Sequence, residues 1–183
     1  LDRALLLARA HGTHDVLALS LVDVAFALAT SADEAQLAGE VDECRVFREQ
    51  AVTVNNEAID VASGAGDLFN LRTALCNGAE YYIALGRLER AAANLDRWES
   101  LPGVPGIRAE SHYLYTRGEH FTAIGSKAGA LAVCERAAML AAAGNQLHVT
   151  INSLKRLASA HEAVGDYRAA LAAFRGFHDS VQR

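Results

Sequence analysis

The side chains that could do chemistry are few and scattered. His11 and His14 stand three residues apart, a spacing that can hold a metal at a helix end or turn. No cysteine or third histidine lies near them in sequence, so two surface histidines are the plainer reading. His112 and Glu119 share one helix face and could make an acid–base pair, but no nucleophile accompanies them, and a binding surface suits them better. Cys44, Cys76 and Cys134 are odd in number and widely spaced. That pattern favours reduced, buried thiols over a disulfide framework. A Gly-rich phosphate loop, G-x-S-x-G, H-E-x-x-H and C-x-x-C are all missing. The expectation is no catalytic residue, no metal and no cofactor, with a helical enzyme as the weakest hypothesis.

Composition points the same way. Hydrophobic residues make up 51% of the chain, with alanine prominent and only Pro102 and Pro105 as prolines. This favours closely packed helices over strands or disorder. The formal charge of −5 gives no basic footprint for nucleic acid. No run of about 18 apolar residues is apparent, so no membrane partner is expected. The chain starts at Leu1 with neither an initiator methionine nor a signal-peptide pattern, and reads as a piece of a longer cytoplasmic protein.

These residues need helices to position them. Apolar spacing of three, four and seven predicts helices over 1–11, 15–29, 68–85, 88–100, 107–124, 127–143, 146–164 and 167–182. Between them, Leu37, Val41, Cys44, Phe47, Ala51, Val54, Ala58 and Val61 form a seam that reads as one long helix over 33–63, with Ser31 and Asp33 as candidate caps. A kink near Thr53, Asn55 and Asn56 is the alternative. Most of these helices are too short to persist alone in water and must bury their stripes against neighbours.

The last helix pair shows a recurring pattern most clearly. Leu154, Leu157, Ala158 and His161 precede a Gly165-Asp166-Tyr167 turn, and Ala170, Phe174 and Phe177 follow it. Leu114, Gly118, Phe121, Gly125, Ala130, Cys134 and Ala137 give a second copy, and Leu75, Ala79, Tyr82, Gly86, Ala91, Leu95 and Trp98 a third. A weaker copy lies at Leu21, Val24, Ala25, Leu28 and Leu37. This pattern resembles the tetratricopeptide repeat (TPR), departing from it at His161 and Phe177. The turn glycines Gly86, Gly125 and Gly165 are spaced by 39 and 40 residues, longer than the roughly 34 of a standard TPR. The resemblance implies an all-α, right-handed α-solenoid of antiparallel helix pairs, about nine helices in one array, with repeats over 13–63, 67–103, 106–144 and 146–183.

In TPR arrays the first helix of each pair lines a concave groove. Carried onto this chain, that implies Thr73, Cys76, Glu80 and Ile83 in one repeat. His112, Tyr115, Glu119 and Thr122 follow in the next, then Asn152, Lys155, Ser159 and Glu162. The first, weak repeat adds Leu19, Val22 and Phe26. Glu80, Glu119 and Glu162 would make the groove acidic, which opposes a carboxylate-terminated peptide and suits a basic or amphipathic helical protein partner.

Longer phrases such as AIDVASGAGDLFN and LKRLASAHEAVGDYRAALAAFRGFHDSVQR are similar to long-repeat TPR regions that precede output domains in bacterial signalling proteins, diguanylate cyclases among them. The resemblance implies a regulatory, protein-interaction module whose output domain lies outside this chain. A small-molecule-sensing region of a maltose-activator-type transcription regulator is the alternative. The extra turns over 33–63 offer a surface for a homodimer. Phe174, Phe177 and Val181 leave an apolar stripe at the C-terminal end, either carried on into a following linker or packed back on Leu154, Leu157 and His161.

Overall fold

The computed structural model describes residues 2–144 and 147–182. Among them the chain is all-α: nine helices and no strand. These are α1 (Asp2–His11), α2 (His14–Ala38), α3 (Val41–Ala65), α4 (Leu68–Ala84), α5 (Leu88–Glu99), α6 (Ile107–Ala123), α7 (Lys127–Gly144), α8 (Leu147–Val164) and α9 (Tyr167–Val181). The residues expected to begin the eighth helix and separate it from the seventh, Asn145 and Gln146, lie outside the described residues, as do Leu1 and Arg183.

One kind of turn recurs. Gly39, Gly66, Gly86, Gly125 and Gly165 all have φ between 69° and 86°. At each, the next residue's N–H reaches back to close the helix: Glu40 to Ala35 O, Asp67 to Ala62 O, Arg87 to Tyr82 O, Ser126 to Phe121 O and Asp166 to His161 O, all at 2.8–2.9 Å. A left-handed residue satisfies carbonyls that a helix end would leave bare, and glycine adopts it without a Cβ penalty. Asp67 and Asp166 then cap the following helices, accepting from Asn70 N at 3.1 Å and Ala169 N at 3.0 Å.

Gly39 corrects the expected long helix. The segment 33–63 is divided between α2 and α3, and the helix expected over 15–29 runs on to Ala38. Ser31 and Asp33 lie inside α2 rather than capping a new helix. The seam over 33–63 crosses the turn, so Leu37 and Val41 are 89% and 76% exposed. The alternative break near Thr53 does not occur either. Thr53 Oγ1 donates to Glu49 O at 2.9 Å, and Asn55, fully buried, donates from Nδ2 to Ala74 O at 2.8 Å. α3 runs through Thr53, Asn55 and Asn56, with Asn55 tied across to α4.

Two compact units divide the chain at 102/103. In the N-terminal unit α2 packs on α1, α3 and α4, and α4 packs on α3 and α5. Its core includes Leu21, Leu75 and Leu95 at 0% exposure, with Tyr82 and Trp98 nearly buried. Each such side chain contributes roughly 1.5–3 kcal/mol through burial. A polar layer crosses this core: a Cβ on Gly78 of α4 would stand 2.7 Å from Nδ2 of both Asn55 and Asn94. α2 is also long and apolar enough to cross a membrane by length and composition, which corrects the expectation of no such run. Ser20 and Asp23 interrupt strict apolarity without offsetting the rest.

In the C-terminal unit α6 packs on α7, α7 on α8 and α8 on α9. Leu114 and Tyr113 are 2% exposed, but α8 and α9 bury mainly small residues, Ala158, Ala160 and Ala173. Gly176 of α9 lies against Leu154, whose Cδ1 is 3.5 Å from the position a Cβ would take. Phe177 is half-buried, its ring 5.7 Å from that of Phe174, while Phe174 is 53% exposed.

Candidate functional site

The N-terminal unit holds a shallow cleft of about 170 Å³ between α2 and α4, floored by α3. Phe26, Ala29, Thr30 and Asp33 line it from α2, Arg48 and Ala51 from α3, and Glu80, Tyr81 and Ala84 from α4. Helical spacing explains the set: Phe26, Thr30 and Asp33 lie on one face of α2, and Glu80 and Ala84 on one face of α4. Phe26 is 63% exposed, an aromatic wall at the mouth.

Arg48 is held in place by its neighbours. Its Nη1 donates to the Ala84 carbonyl at 3.3 Å, its Nη2 reaches Gln36, and Asp33 lies 3.7 Å away. Tyr81 is 6% exposed, and its hydroxyl is buried without a hydrogen-bond partner. Burial first, and the Glu80 charge second, push that phenol above its ordinary pKa. The same two causes push up the Cys76 thiol. Cys76 is 1% exposed, so it belongs to the core and has no surface to offer a partner. Thr73 is half-buried and spends its hydroxyl on Phe69 O at 3.2 Å; Ile83 is half-buried. Of the α2 row, Leu19 and Phe26 are exposed and Val22 is buried.

In the C-terminal unit a residue outside the expected set, Arg156 of α8, organises the expected ones on α6. Its guanidinium lies 3.3 Å from the Tyr115 ring centroid, and its Nη2 is 3.3 Å from Glu119 Oε1. The planar guanidinium can stack and pair at once, which an ammonium cannot. Glu119, expected to face a basic partner, therefore already has an internal cation. Lys155 was carried over from the repeat pattern and its neighbour Arg156 was not, because the spacing of α8 alone does not show which side chain reaches α6. The same arginine favours the Cys134 thiolate, yet burial dominates and that thiol is also raised. His112 is half-buried; Thr122 is exposed and donates to Gly118 O at 2.9 Å. Asn152, Lys155, Ser159 and Glu162 are exposed along α8.

The expected rows thus fall in different units: that of α4 in the first, those of α6 and α8 in the second. Charge is divided too. Residues 1–102 carry sixteen Asp and Glu against eight Arg, net −8, and residues 103–183 carry six against nine Lys and Arg, net +3. His11 and His14 are exposed. Among the described residues no group of three His, Cys, Asp or Glu is arranged to hold a metal. No protein-family model matches the chain, and no curated protein matches it.

Proposed function

We propose that this chain is a TPR-like interaction module whose helix pairs stack as a right-handed solenoid, and that its N-terminal unit binds a basic, partly apolar segment of a partner protein. The observation that carries the reading is the exposed Phe26 beside Glu80 in a cleft on a unit of net −8. An aromatic wall with a carboxylate suits one Lys or Arg side chain, and the acidic surround steers its approach. Arg48 does not oppose this, because Asp33, Gln36 and the Ala84 carbonyl already engage it. The resemblance to long-repeat regions of bacterial signalling proteins supports a cytoplasmic, regulatory role ahead of an output domain such as a diguanylate cyclase. A small-molecule-sensing region of a transcription regulator is the alternative parent.

Fluorescence anisotropy with two labelled model helices tests the reading, one alternating Lys and Leu faces and the other Glu and Leu. The basic helix is expected to bind at least about tenfold tighter, a difference of about 1.4 kcal/mol. Equal binding of the two would remove the electrostatic basis of the proposal.

A further inference from the structure

The chain carries two uncovered apolar surfaces of opposite charge. The first is the tip of the α2–α3 hairpin. Contacts along α3 and α4 fix where that tip lies. Asn55 reaches Ala74, while Arg48 reaches Ala84 at the last residue of α4, and Arg87 just beyond it pairs with Glu49. The first two turns of α3, ahead of Arg48, therefore extend past the end of α4, on the order of 10 Å at 1.5 Å per residue. The projection is built and not frayed, since Ala32, Ala35 and Cys44 form a small core with Phe47 packed on it. At its end Leu37 and Val41 are 89% and 76% exposed, with Asp42 and Glu43 exposed beside them.

The second surface is the outer face of α9. Its inner face, Ala173 and Gly176, packs on α8. Tyr167, Leu171, Phe174 and Val181 recur at heptad-like steps on the other side and are 51–71% exposed. Arg168 and Arg175, both exposed, follow the first and third of these along the same edge, with exposed Asp179 one turn beyond Arg175. A seam of this length, uncovered among the described residues, is what a docking helix normally hides.

We propose that the acidic α2–α3 tip of one copy docks on the basic-edged α9 seam of a second copy. The charge complementarity selects this occupant: Asp42 and Glu43 meet Arg168 and Arg175, as the net −8 and +3 of the two units also favour. The contact joins two different patches, the tip of one copy and the seam of the other, rather than pairing like with like.

Sedimentation velocity on the intact chain, over a concentration series at low and high salt, tests this with two variants. Asp42→Lys with Glu43→Lys reverses the tip, and Arg168→Glu with Arg175→Glu reverses the seam; all four side chains are exposed, and circular dichroism checks that each variant folds. The wild type is expected to associate with rising concentration, at least tenfold less at high salt. Each variant alone is expected to remain monomeric, and an equimolar mixture to associate again, since every tip then finds an opposite seam. A wild type that stays monomeric at about 1 mM and low salt overturns the proposal, as does association that both reversals leave unchanged or a mixture that fails to recover it.

Discussion

At the scale of single residues, burial decides which side chains can act. Cys76 illustrates this. Its helical position matches a groove residue of the TPR pattern, yet it is 1% exposed. With its thiol raised by desolvation, it is expected to resist iodoacetamide in the native protein, while the half-buried Cys134 reacts first. Mass spectrometry of a labelling time course would show the order, and Cys76 labelling as fast as Cys134 would contradict the core placement. Gly78 makes a second residue-level case. Alanine would gain helix propensity of about 1 kcal/mol, but its Cβ would crowd the amides of Asn55 and Asn94 at 2.7 Å. Gly78→Ala is expected to cost a net ~1–3 kcal/mol in chemical denaturation. Arg156→Ala should lose about 1 kcal/mol from its stacking and pairing, with Arg156→Lys recovering only part of it. Full recovery by lysine would mean that charge alone matters there.

At the scale of elements, most of the helices were legible because glycine turns and capping aspartates punctuate them. Gly86, Gly125 and Gly165 mark ends that the backbone confirms with positive φ. Gly39 was not legible. The apolar residues on either side of it, Leu37 and Val41, keep helical spacing across the turn, so periodicity joined two helices into one. The left-handed φ of Gly39 and the exposure of both residues separate them. Of the candidate site, Phe26 and Glu80 were readable from helical position. Arg48 and Tyr81 were not, because they reach the cleft from a neighbouring helix and from the shoulder of α4. Arg156 was missed for the same reason: a pairwise contact between helices leaves no trace in the spacing of either. Replacing the left-handed Gly39 tests the two-helix account. Gly39→Val is expected to cost about 1–2 kcal/mol through backbone strain, even though no atom lies within 4 Å of its missing Cβ. A melting temperature unchanged by that substitution would favour a continuous helix.

At the scale of the whole molecule, composition gave the all-α class but concealed the division of charge. A net charge of −5 averages an acidic unit and a basic one, and only the boundary at 102/103 exposes the difference. The acidic unit also holds the better-packed core and the cleft. The proposed binding of a basic segment falls on residues of α2 and α4 and gives the exposed face of α8 no part. Amide chemical-shift mapping on the isotopically labelled chain, titrated with the basic Lys–Leu helix, tests this most directly. The account predicts shifts concentrated at Phe26, Thr30, Glu80 and Ala84, and their loss in Phe26→Ala with Glu80→Lys while the remaining spectrum is preserved. Shifts centred on Asn152, Lys155 and Ser159, or shifts at the cleft that survive the double substitution, would contradict it.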